Sequence, residues 1–159
     1  MIATPPFPGL ANPRLTQIAT QMLQGGKFGP VSVGSSGVAG SNGGQSFVGT
    51  SDHPGYYDPV AGRSRMAIEL GDVTARDAMG GDGVGVLHFL HEYAHSVLGI
   101  KEEAKANQMA IAVLPQLLQK FWHKSPAQAR AALQQALSYI RTQEPPVYHL
   151  PANNPPPLI

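Results

Sequence analysis

The sequence predicts an α+β fold, in which a small Gly-rich antiparallel or mixed sheet has an edge strand packed on a helix and on the helices that follow it. Residues 25–55 contain ten glycines and only short β-prone pieces, and residues 65–70 alternate in polarity. From about residue 84 onward, apolar residues recur at helical spacing. A length of 159 residues suits one such domain, because it is enough to bury a single core.

The N-terminal half begins with a predicted helix. Asn12 and Pro13 are typical of an N-cap followed by proline at the first helical position, and Gly25-Gly26 is expected to end the helix. The sheet follows, and its best strand is residues 65–70, where Met66, Ile68 and Leu70 share one face.

The second half is predicted to contain three helices. The first covers residues 84–98 and stops at Gly99, which suits the left-handed position after a helix. The second begins near Lys101, and Pro115 is expected to kink it or to end its first part. The third covers residues 125–143, with Ser125 as its cap.

Both ends of the chain are rich in proline. Residues 1–12 are expected to be an extended segment, and residues 144–159, with six prolines, an extended arm. The predicted domain therefore covers residues 13–143.

Composition narrows the function classes. A net charge of +1 with 13% charged residues gives no electrostatic case for nucleic acid or an anionic membrane. The absence of cysteine excludes disulfides and thiolate metal ligands. The start of the chain lacks a secretory pattern and the longest apolar run is too short to span a bilayer, so we expect a soluble, cytoplasmic protein, with virion association left open.

The pattern His-Glu-Tyr-Ala-His at residues 91–95 is the main chemical signal. His91 and His95 lie one helical turn apart, so both imidazoles can reach one ion. Glu92 follows the first histidine, where its carboxylate can take a proton from a metal-bound water. Zinc uses this arrangement because the ion lowers the pKa of the bound water and polarises a carbonyl.

A third ligand is offered by the next helix. Glu103 shares a helix face with Asn107, so the carboxylate can bind the ion while the amide holds a ligand histidine by a hydrogen bond. Ala106 and Ala110 are small enough to let the two helices approach closely. The alternative for Glu103 is an acidic residue that only favours the helix dipole.

Residues 55–118 resemble the zinc-dependent peptidases of the ImmA/IrrE type, and more broadly the gluzincins. The resemblance rests on "GYYDPVAGRSRMAIEL", "HEYAH" and "EEAKANQMAIAVLP". It implies a minimal zincin-like domain with one zinc ion on His91, His95 and Glu103, and Glu92 as general base. It also implies that residues 66–70 form an edge along which an extended peptide lies.

One spacing departs from that family. Seven residues separate His95 from Glu103, a shorter gap than is usual, and Glu102 is the alternative third ligand. His88, one turn before the motif, is a wall residue of the site, a group that supports a ligand by a hydrogen bond, or simply a half-buried residue.

Four residues are candidates for stabilising the oxyanion of a tetrahedral intermediate, and the sequence does not choose among them. They are Tyr56, Tyr57, Tyr93 and His123.

The predicted function is that of a zinc metallopeptidase, an endopeptidase, acting on a protein or peptide. The Pro-rich arm or the Gly-rich loops can also bind a protein partner, and the arm can cover the cleft. The alternative is a structural or interaction protein, for example a phage or virion component, that keeps the zincin fold with structural zinc or none.

Overall fold

The computed structural model describes residues 12–22, 31–35, 44–48, 56–58 and 63–150. The described residues form five α-helices, namely α1 (Pro13–Met22), α2 (Asp72–Met79), α3 (Gly83–Ser96), α4 (Glu103–Phe121) and α5 (Pro126–Gln143). A short 3₁₀ helix, Pro146–Tyr148, follows α5. Four strands are β1 (Val31–Ser35), β2 (Gly44–Val48), β3 (Tyr56–Asp58) and β4 (Arg63–Leu70).

Several sequence predictions lie outside the described residues. They concern the N-terminal segment before residue 12, the end of the first helix at Gly25-Gly26, most of the Gly-rich loops, and the arm from residue 151 onward.

Strand β4 has a strand on each of its two edges over residues 66–70. β1 pairs with it in parallel, with Val33 opposite Ile68, and β2 pairs with it antiparallel, with Ser46 opposite Ile68. The short β3 pairs antiparallel with the start of β4, where Tyr57 is opposite Ser64. The backbone donors and acceptors of residues 66–70 are therefore committed to strands of the same chain.

The predicted fold class is wrong on two counts. The described residues are mainly helical, with helices of 8 to 19 residues against strands of 3 to 8, and β4 has a parallel partner where an edge was expected. Alternating polarity reports which face of a strand is covered, but it carries no information about which edges are paired. The eight residues Asp72–Met79, between Gly71 and Gly80, form α2.

Side-chain hydrogen bonds to the backbone cap the start of helix α1 and attach the helix to β1. The Asn12 carboxamide oxygen accepts from Leu15 N at 3.0 Å, as its N-cap position predicts. The Thr16 hydroxyl pairs with both backbone groups of Val33, at 3.0 and 3.1 Å, which ties α1 to β1. Leu15 and Ile18 are fully buried beneath this contact.

Helix α3 is the centre of the domain. It packs against α2, α4, α5 and the sheet, and Val86, Phe89 and Leu90 are fully buried. Asp82 caps its start by accepting from the amides of Val84 and Gly85.

Helices α4 and α5 complete the core. α4 is continuous through Pro115, so that proline does not end the helix, and Ile111, Leu114 and Leu118 are fully buried. α5 starts with a reciprocal capping box between Ser125 and Gln128. Among the described residues, none of the helices has the length and apolar character needed to cross a membrane.

Two glycines set how close α3 comes to its neighbours. A Cβ on Gly83 would collide with the backbone carbonyl of Ala132 in α5, and a Cβ on Gly85 would collide with the backbone of α2 at Asp77 and Ala78. Since backbone atoms cannot rotate away as a side chain can, both positions require glycine.

We expect Gly85→Ala to lower the free energy of unfolding by about 1–3 kcal/mol, because α2 must move away from α3. Thermal unfolding followed by circular dichroism measures the loss. Gly80→Ala is the matched control, since its Cβ would meet nothing nearer than 3.7 Å at a φ of −79°. Equal stability of the two variants would contradict the tight α2–α3 contact.

Candidate metal centre

The two histidines of α3 lie side by side at the buried surface that faces α4. Their Nε2 atoms are 3.0 Å apart, and the ring planes are nearly perpendicular at 83°. The side chains of His91 and His95 are 7% and 17% exposed. The one-turn spacing thus brings both imidazoles to one point.

Glu103, in the first turn of α4, brings its carboxylate to the same point. Its Oε2 lies 2.9 Å from His91 Nε2, and its Oε1 lies 3.2 Å from His95 Nε2. The fully buried Ala106 and Ala110 lie on α4 beyond it, and their small side chains suit a close approach of the two helices. At 31% exposure, Glu103 is the most accessible of the three side chains.

Asn107 determines which nitrogen of His91 carries the proton. The Asn107 amide nitrogen donates to Glu144 Oε1 and to the Tyr148 carbonyl, both at 2.9 Å, so its oxygen must face His91. That oxygen lies 2.7 Å from His91 Nδ1, which must therefore be the protonated nitrogen. The Nε2 atom of His91 is left with a lone pair directed at Glu103.

A backbone carbonyl determines in the same way which nitrogen of His95 carries the proton. The Ile100 carbonyl lies 2.6 Å from His95 Nδ1, and a carbonyl can only accept. Gly99, at a φ of +70°, turns the chain after α3 so that Ile100 comes back against the helix. His95 therefore also presents the lone pair of Nε2.

When both imidazoles are neutral, three acceptor groups therefore converge with no donor among them. A proton on either imidazole would satisfy one of the contacts, whereas a single divalent cation would satisfy all three. Ligands 2.0–2.1 Å from a tetrahedral ion lie about 3.3 Å apart, close to the separations of 2.9 to 3.2 Å found here. His91, His95 and Glu103 can hold a metal ion.

A cavity of about 290 Å³ opens beside this group, between α3, α5 and the C-terminal segment. His91 and Glu92 form part of its wall, and Tyr148 closes another side, with its ring 5.7 Å from that of His91. The Tyr148 hydroxyl hydrogen-bonds the Glu103 carboxylate. Burial, together with the charge of Glu103, raises the pKa of Tyr148, so the phenol keeps its proton.

Residues 144–150 were expected to be part of an extended arm, but they lie against the metal-binding group. The segment is held there by Asn107, and a bond of 2.8 Å between His149 Nε2 and the Glu144 carbonyl closes the segment on itself. Sequence reasoning missed Tyr148 and Glu144 because a Pro-rich stretch is typical of an unattached segment. The Pro145-Pro146 pair, where the 3₁₀ helix begins, was the one available signal.

Three of the other candidates, Glu102, Tyr93 and His123, belong neither to the metal-binding group nor to the cavity wall. Glu102 is 62% exposed and pairs with Lys105 at 3.8 Å, so its side chain points away from the histidines. Tyr93 is buried in the core at 3% exposure, and His123 lies in the exposed turn after α4 at a φ of +56°. Tyr56 and Tyr57 belong to β3, and their side chains are outside the described part.

His88 is a wall residue of the cavity. Its ring stands edge-on to Tyr139, 5.3 Å between centroids, and its Nε2 is buried without a hydrogen-bond partner among the described residues. Burial, and then the nearby His91, lower its pKa from 6.5 to about 4, so the ring is neutral at pH 7.

Comparison of the chain with protein-family models, curated proteins and solved structures finds no match. The assignment of a metal-binding group therefore depends on the side-chain geometry alone.

We expect the purified protein to contain about one divalent metal ion per chain and Glu103→Ala to lose most of it, because two imidazoles alone bind weakly. Elemental analysis of untagged protein gives the ratio. Glu102→Ala is the matched control and should keep the ion. A wild type that stays metal-free after reconstitution would contradict the site.

Asn107→Ala should weaken metal binding by about 10–100-fold, because His91 is then free to turn or to protonate Nε2. Competition with a chromophoric chelator measures the affinity, and circular dichroism checks the fold. The neighbouring Gln108→Ala should bind as tightly as the wild type. Unchanged affinity in Asn107→Ala would show that the His91 ring is held by something else.

Proposed function

We propose that the protein is a zinc-dependent peptidase in which His91, His95 and Glu103 hold one zinc ion and Glu92 is the general base. The observation that carries the proposal is the convergence of two imidazole nitrogens and one carboxylate directly beside a cavity lined by a further carboxylate. Such a group suits a metal centre that acts on a substrate held in the cavity.

The donor set favours zinc. Two neutral imidazoles and one carboxylate are borderline ligands, whereas magnesium and calcium prefer oxygen alone. Three protein donors are also the usual number for catalytic zinc, while structural sites have four. When bound, zinc supplies a Lewis acid that acidifies water and polarises the scissile carbonyl.

Glu92 has the place that a proton carrier needs. It follows His91 on α3, is only 9% exposed, and lines the cavity next to that histidine. From there its carboxylate accepts a proton from the attacking water and later delivers it to the amine that leaves. Low exposure keeps bulk water from competing for that proton.

Tyr148 supplies a neutral donor on another side of the cavity. Its raised pKa keeps the hydroxyl protonated, and its partner in the free protein is Glu103. Because a phenol on a two-torsion side chain can redirect its hydrogen bond, Tyr148 can donate to the oxygen that becomes negative during attack. Tyr148 was not among the four candidates inferred from the sequence.

The substrate is a protein or peptide, but its backbone does not add to residues 66–70. Both edges of that strand segment are occupied by β1 and β2. The route to Glu92 is the cavity between α3, α5 and the C-terminal segment.

We expect Glu92→Gln to keep its zinc and to lose about 10²–10⁴-fold in kcat, because only the proton carrier is removed. Cleavage of an unfolded protein substrate by zinc-loaded enzyme is the assay, with Glu102→Gln as the matched charge control. Full activity in Glu92→Gln would refute the role of Glu92 as general base. A zinc-loaded wild type that cleaves no peptide would refute the peptidase.

A further inference from the structure

The cavity beside the metal-binding group has an acidic wall. Glu92 and Glu144 both line it, and no Lys or Arg is among its described lining residues. His88 adds no positive charge, since its pKa is about 4. The electrostatic field in the cavity is therefore set by carboxylates and by the metal.

Glu144 is a wall carboxylate with no Lys or Arg partner among the described residues, and the groups that favour its charged form are the Asn107 amide, His91 and His149. A divalent ion carries two positive charges, of which Glu103 and Glu92 compensate one each. Glu144 accepts one hydrogen bond from the neutral Asn107 amide and forms no ion pair with a Lys or Arg in the described part of the chain. Burial raises its pKa, a penalty that a cation beside it would relieve.

The remaining walls suit a long cationic side chain. The rings of Tyr139 and Tyr148 flank the cavity, and aromatic faces attract ammonium and guanidinium groups. Tyr139 is held edge-on by His88, so its ring is preset. The Gln143 amide adds an exposed acceptor at the wall. A volume of about 290 Å³ is sufficient for one arginine or lysine side chain.

We propose that this cavity is a specificity pocket for a basic residue, arginine or lysine, next to the scissile bond, with Glu144 as its charged partner. The inference rests on the proposed peptidase function, because His91 and Glu92 of the metal centre share the wall. The side chain that fills the pocket is thereby adjacent to the scissile bond, at which Glu92 acts as general base.

The test uses matched peptides that differ at one position, carrying arginine, lysine, citrulline, leucine or glutamate. Citrulline keeps the shape of arginine without its charge. Binding is measured by fluorescence anisotropy on zinc-loaded Glu92→Gln, which cannot turn the peptides over. We expect arginine to bind about tenfold tighter than citrulline, since a partly buried ion pair contributes that much.

Glu144→Gln, combined with Glu92→Gln, tests whether Glu144 is the charged partner of the basic side chain. The glutamine oxygen still accepts from Asn107, so the His91 support is kept while the charge is lost. The arginine-to-citrulline ratio should fall to about one. Glu102→Gln, an exposed carboxylate outside the cavity, should leave the ratio unchanged. Equal binding of arginine and citrulline peptides, or a ratio that survives Glu144→Gln, overturns the pocket.

Hydrolysis by the wild type separates the two proposals. Charge-dependent binding with no cleavage refutes the peptidase and keeps the pocket. Cleavage that ignores the basic residue keeps the peptidase and refutes the pocket, and no binding by any peptide refutes both.

Discussion

The hydrogen bonds behind the two imidazoles are the constraint on which the site depends. The Asn107 oxygen and the Ile100 carbonyl each accept a hydrogen bond from Nδ1–H of one histidine. The Nε2 lone pair of each neutral ring is thereby directed at Glu103. Without these acceptors a neutral histidine could protonate either nitrogen, and the group could satisfy itself internally by a proton on Nε2. With them, the Nε2 lone pairs of the neutral rings and the Glu103 carboxylate face one another, an arrangement that a bound cation would stabilise.

The same hydrogen bonds couple the C-terminal segment to the metal-binding group. Asn107 can orient His91 only because Glu144 and the Tyr148 carbonyl accept from its other end. Any movement of residues 144–148 thus changes the tautomer preference of a ligand, the donor at Tyr148 and the wall of the cavity together. A segment that is attached by few bonds therefore has a direct influence on metal affinity.

Close packing around α3 fixes the positions of His91 and His95. Gly83 and Gly85 let α5 and α2 approach α3 at backbone distance, and its remaining sides pack on α4 and the sheet. A helix held on all sides cannot rotate about its axis, so His91 and His95 keep the angle at which they meet Glu103. The glycines lower intrinsic helix propensity, and the surrounding burial offsets that loss.

Local physics decided what the sequence by itself determined: the starts of α1 and α5 from their N-caps, the turn at Gly99, and the one-turn spacing that places His91 beside His95. Such features depend on residues within one or two turns. The edges of β4, the helical character of the domain and the approach of residues 144–148 depend on partners distant in the chain, and so the predicted edge strand and fold class were wrong and the docking of residues 144–150 was not foreseen. Only the tertiary structure could decide them, because the hydrogen-bonding groups of a strand edge or a docked segment are the same whatever partner they meet.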